Sequence, residues 1–126
     1  MPVELKDFEV VKRRSRAPAL TPEVTVQRGG TIGFNSAAMA ALGHPSRVIF
    51  LVRSDPPALL IQASGEAPDS YAVQRNGRGG VSNAKAAISL LRIDHSTARR
   101  YPAEVVADGS LLVDLSEPGV PARGAD

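Results

Sequence analysis

The stretch "VTVQRGGTIGFNSAAMAALG", Val24–Gly43, runs from a strand pattern through Arg-Gly-Gly into a helix of small residues. Val24, Val26 and Arg28 alternate with Thr25 and Gln27, the period of two that a half-buried strand requires. Gly29-Gly30 permits a sharp change of backbone direction, and Thr31–Phe34 reads as a second short strand. Asn35-Ser36 then supplies side-chain oxygens that accept from the unpaired N–H groups of a first helical turn. In "AAMAAL" Ala38, Met39 and Leu42 share one face, and Gly43 is a natural stop. A helix of about two turns does not persist alone, so packing must hold it.

Working outward, "RVIFLV" (Arg47–Val52) and "ALLIQA" (Ala58–Ala63) read as strands joined by the turn Ser54-Asp55-Pro56-Pro57. "SGEAPDS", Ser64–Ser70, is a polar connector. A second "VQR" follows at Val73–Arg75, in the strand "YAVQR". Then come the glycine-rich loop "NGRGG", a short strand at Val81, and the helix "AKAAISLLRI" capped by Ser82 or Asn83. Ala84, Ala87, Ile88 and Leu91 share a side of that helix. "AEVVA" and "SLLVDL" flank Asp108-Gly109, a strong hairpin turn. Both halves thus share one order: VQR strand, glycine turn, capped helix, hairpin. The reading is a mainly β (α+β) chain built from two β-β-α-β-β repeats, 24–64 and 71–116, in a single domain over 24–116. Residues 1–23 form an N-terminal strand (Phe8–Lys12) and basic arm, and 117–126 a disordered tail.

Composition narrows the function classes. Aromatic residues are only 4% of the chain, so the core rests on Val, Ile, Leu and Ala. Cysteine is absent, which removes disulfides, thiolate metal sites and a cysteine nucleophile. No segment approaches a membrane span or an export signal, so a cytoplasmic chain with no membrane partner is expected. There is no Gly-x-Ser-x-Gly elbow, no phosphate-cradling Gly-x-x-x-x-Gly-Lys loop and no paired carboxylates. These absences read against an enzyme, and no cofactor or metal is expected. His44 and His95 each follow a helix end, where a cation complements the helix dipole.

The segment "RGGTIGFNSAAMAALG…SRVIFLVRSDPPALLIQA" resembles the AbrB/MazE/MraZ group of swapped-hairpin transcription factors and antitoxin DNA-binding domains. Thr31–Phe34, the helix leader Asn35 and the helix end Leu42-Gly43 stand where that pattern wants them. The second half departs from it, with a longer helix, extra glycines, and Leu91-Arg92-Ile93 in place of Leu-Gly. The resemblance implies a small pseudo-two-fold β-barrel, AbrB-like or double-psi-like, whose basic loops meet DNA.

Net charge is only +2, but the basic residues are grouped. Guanidinium offers a rigid fork of donors suited to phosphate oxygens and guanine edges. Arg28 and Arg75 close the two VQR strands beside flexible glycines, and Arg78 lies just beyond. With Lys12, Arg13, Arg14 and Arg16 of "KRRSR" they form the candidate DNA-binding set. The expectation is a DNA-binding transcriptional regulator. The alternative is a non-enzymatic protein-interaction module or assembly subunit, joined to a homodimeric or other protein partner through a strand edge.

Overall fold

In the computed structural model, residues 21–106, 108–117 and 119–121 are described. The first repeat comprises β1 (Glu23–Val26), β2 (Thr31–Phe34), α1 (Ser36–Leu42), β3 (Arg47–Ser54) and β4 (Pro57–Ser64). The second comprises β5 (Tyr71–Asn76), β6 (Gly79–Asn83), α2 (Lys85–Leu91), β7 (Arg99–Val105) and β8 (Leu111–Asp114). A short β9 (Val120–Pro121) follows. The molecule is mainly β, and the repeat order read from the sequence is the order of its elements.

The strands run β1-β2-β6-β5-β3-β4-β8-β7, and β7 pairs back onto β1, so the sheet closes into an eight-stranded barrel. Every pairing is antiparallel. Exchanging the halves (β1 for β5, β2 for β6, β3 for β7, β4 for β8) maps this set of pairings onto itself. The registers agree. Phe50↔Ile61 corresponds to Ala103↔Val113, Leu51↔Leu60 to Glu104↔Leu112, and Thr25↔Arg100 to Ala72↔Arg47. The same matching superposes the two VQR triplets and leaves the pairs Ile32↔Ser82 and Leu60↔Leu112 on the pseudo-two-fold axis, at opposite poles.

Alternation along the strands sorts the side chains. Val24, Val26, Ile32, Phe34, Val48, Leu59, Ile61, Leu111 and Val113 face inward and are buried. Ala38, Met39 and Leu42 of α1, with Ala87 and Ile88 of α2, join this same core. Asn35 caps α1 as expected: its Oδ1 accepts from Ala38 N (2.8 Å) and from Glu23 N (3.1 Å), so one side chain ties the helix to β1.

Four expectations need correction. The strand of the first VQR ends at Val26, although Gln27 N still donates to Thr31 O (2.9 Å). Gly79 and Gly80 belong to strand β6 rather than to a loop. Gly80 is there because a Cβ would lie 2.8 Å from Met39 Sδ and 2.9 Å from Val73 Cγ1, inside contact distance. The second helix is no longer than the first, each having 7 residues, and its N-cap is Ala84, without a side-chain cap bond. Asn83 Oδ1 instead accepts from Lys85 N at 3.0 Å. Finally, within the segment read as a tail, Val120–Pro121 pairs with β7 (Arg99↔Pro121, Arg100↔Val120). The N-terminal strand and residues 122–126 lie outside the described residues.

Leu91-Arg92 does the work of Leu42-Gly43. Both helices end in a left-handed residue, Gly43 (φ 80) and Arg92 (φ 55), whose N–H returns to the last turn. An L side chain costs about 1 kcal/mol in that region. Arg92→Gly is therefore expected to raise stability by about 1 kcal/mol, measurable as a higher urea midpoint with an unchanged slope.

Candidate nucleic-acid interface

The outward surface of β1, β2, β6 and β5 is built from the residues that alternate with the core. One row crosses the strands as Arg100–Thr25–Gly33–Val81–Gln74. A second contains Thr31↔Asn83, with Gln27 joined to Thr31 by a bond from the Thr31 hydroxyl to Oε1 of Gln27. The surface is thus mostly amide and hydroxyl, with glycine at its middle. Glu23 is the only acidic residue in these four strands. It lies 3.9 Å from Arg100, a half-exposed pair that screening makes weak.

Arg28 and Arg75 occupy corresponding positions at opposite ends of this surface. The β2–β6 ladder between them runs from Thr31↔Asn83 to Phe34↔Gly80, about 10 Å at 3.4 Å per residue. Both arginines are exposed, as is Arg78 in the β5–β6 turn. The structure therefore holds Arg28, Arg75 and Arg78 on the rim of one sheet face. Lys12, Arg13, Arg14 and Arg16 lie outside the described residues.

Sequence reasoning missed several neighbours. Arg100 stands on the outward row beside Thr25, and the stem of Lys85 lies against Gly30, where an added Cβ would come 3.2 Å from Lys85 Cβ. Gln27, Gln74, Asn76 and Asn83 were passed over because an uncharged amide carries no signal until its strand face is known. His95 was placed at a helix end for dipole complementarity. Its Nδ1 instead lies 3.0 Å from Arg28 O. A carbonyl only accepts, so Nδ1 carries the proton, and the ring braces the first basic turn.

Two depressions adjoin this turn. An open one of about 490 Å³ is lined by Arg28, Ile93, Asp94, His95 and Ser96. The other, about 430 Å³, has Arg92 and Arg99 set against Asp94 and Glu117, so its formal charges cancel. Among the described residues there is no cluster of three metal-ligating side chains, and no helix is long and apolar enough to cross a membrane.

Three Asp-x-Ser turns edge the barrel. The Asp94 carboxyl is held below its ordinary range first by the Ser96 backbone N–H (2.9 Å), with Arg99 and His95 adding smaller effects. Asp108 and Asp114 are lowered mainly by the hydroxyls of Ser110 and Ser116. A carboxyl whose folded pKa lies below its unfolded value stabilises the fold above about pH 4, and that stability is lost as pH falls through the folded value. Melting temperature should thus decline on acidification below about pH 4. Ser116→Ala, which removes the hydroxyl 2.7 Å from Asp114 Oδ1, should make that decline shallower.

At the opposite pole the outward row Leu51–Leu60–Leu112 is apolar, with Leu51 42% exposed. It borders a groove of about 210 Å³ that also includes Val52, Arg53 and Ala58. No protein-family model, curated protein or solved structure matches the chain.

Proposed function

We propose that this chain is a DNA-binding protein, a transcriptional regulator that carries in one polypeptide the two units of a swapped-hairpin barrel. One observation carries the reading: a nearly acid-free, amide- and hydroxyl-bearing sheet face lies between two corresponding arginines at its opposite ends. Amide side chains pair with base edges, and arginines with phosphates and guanine. A two-fold arrangement of basic positions suits the two-fold symmetry of the duplex backbone. The chain acts by binding, without a catalytic centre or cofactor. In a gel-shift competition, unlabelled duplex should displace labelled duplex from the protein. Failure of any shift at low salt would defeat the reading.

The apolar row Leu51–Leu60–Leu112 favours a second reading, a protein-interaction module on the same barrel. A stoichiometric partner retained by the native chain and lost with Leu51→Asp would support it.

A further inference from the structure

The two hairpins at the ends of the proposed DNA face correspond in connection and differ in build. In the first, Gln27 and Thr31 are joined across residues 28–30. That turn is braced on three sides. His95 Nδ1 meets Arg28 O, Ala84 N donates to Gly30 O (3.0 Å), and the Lys85 stem packs on Gly30. In the second, the corresponding pair Gln74↔Val81 is joined across residues 75–80. The ladder continues outward to Asn76↔Gly79 and closes on Gly77-Arg78, with Gly77 at φ 63. Glycine at the first central position, with positive φ, is what a tight two-residue hairpin connection uses. Gln74, Arg75, Asn76, Gly77 and Arg78 are all exposed. Among the described residues, the side chains of Arg75, Asn76 and Arg78 have no hydrogen-bond or ion-pair partner.

From this difference we infer that the chain reads an asymmetric DNA site. The β5–β6 ribbon enters the major groove and reads base edges through Gln74, Arg75, Asn76 and Arg78. The Arg28 turn grips the phosphate backbone at the other end. The inference rests on the DNA-binding reading above and gives each end of that face its own task.

Three arguments lead to it. The first is reach. The major groove, about 12 Å wide and 8.5 Å deep, admits a two-stranded β-ribbon. The second hairpin is such a ribbon beyond the barrel wall, whereas the first is a short turn held down by His95 and Lys85. The second is chemistry. Gln and Asn amides match the adenine edge, and guanidinium matches guanine. The ribbon alternates these types, with Gln74 and Asn76 on the outward side of the strand and Arg75 on the other. A braced turn with one exposed arginine instead suits a phosphate, which needs charge at a fixed place.

The third argument is broken symmetry. A dimer of identical chains presents identical half-site readers, so its operator is palindromic. Here the backbone keeps the two-fold while the side chains leave it. Thr25 corresponds to Ala72, Thr31 to Val81 and Gly33 to Asn83, and only the Gln27/Gln74 pair is kept. One chain with unlike ends has no reason to prefer a palindrome.

The test is selection from a library of random-core duplexes, using the full chain. The native protein should enrich a motif without internal two-fold symmetry. The combined variant Arg75→Ala, Arg78→Ala should lose about tenfold or more of its preference for that motif over unrelated duplex. It should still bind unrelated duplex in a salt-dependent way, and its melting temperature should match the native protein's, because both residues are exposed. Arg28→Ala should weaken motif and unrelated duplex alike and leave the enriched motif unchanged. A palindromic motif, no motif from a chain that still binds duplex, or a motif altered by Arg28→Ala would each overturn the inference while leaving DNA binding in place. Absence of any duplex binding at low salt would overturn both.

Discussion

Replacing Arg28 and Arg75 together with alanine is expected to weaken binding to duplex DNA by roughly a hundredfold or more at low salt. Hydrogen bonds to charged groups contribute roughly 1.5–3 kcal/mol each, and the double variant removes one such group from each end of the sheet face. The dependence of log affinity on log salt should become shallower by about two, since each lost phosphate contact leaves its counterion in place. Both side chains are exposed and neither belongs to the core. The melting temperature of the double variant should therefore match that of the native chain. An affinity unchanged by both substitutions would remove the two arginines from the interface.

The second large effect is on stability. Ile61→Ala should destabilise the barrel by about 2–5 kcal/mol, the range for truncating a buried aliphatic side chain without collapse of the space around it. Ile61 is 0% exposed and pairs with Phe50 on one side and Leu111 on the other. Few large aromatic side chains are available to shift into the gap. Its neighbour Leu60 points outward along the same strand, so Leu60→Ala should cost clearly less. Urea unfolding of the two variants gives the comparison directly. Equal losses would mean that the inward and outward assignment of β4 is wrong.

The two variants also mark what was legible in the sequence. Asn35, Leu42 and Gly43 announce α1 because caps and stops are local, and the hydrogen bonds from Glu23 N and Ala38 N to Asn35 Oδ1 lie where the cap requires them. The repeat was legible from a single triplet, VQR, because element order survives when side chains diverge. Gly79 and Gly80 were misread because glycines usually punctuate. In β6 they serve close approach to α1 and β2, a tertiary demand that leaves no local mark. Arg92 was misread as a departure from Leu-Gly, since an αL residue is recognisable in sequence only when it is glycine or asparagine.

The interface divided along the same line. Arg28, Arg75 and Arg78 could be chosen from charge and neighbouring glycines. Their placement at opposite ends of one face depends on the β2–β6 ladder, a pairing between strands far apart in the chain. The amides between them were invisible for the same reason. Gln27 and Gln74 become equivalent residues only once the two hairpins are set side by side. The bracing of Arg28 by His95 likewise joins residues that no local pattern connects.

The most direct test of the central claim, that this barrel binds DNA through the β1-β2-β6-β5 face, is fluorescence anisotropy of a labelled duplex titrated with the native chain between about 50 and 200 mM salt. Saturable binding at the low end, falling steeply and linearly on logarithmic axes as salt rises, is the predicted result. No binding at the lowest salt, or binding that does not respond to salt, would contradict it.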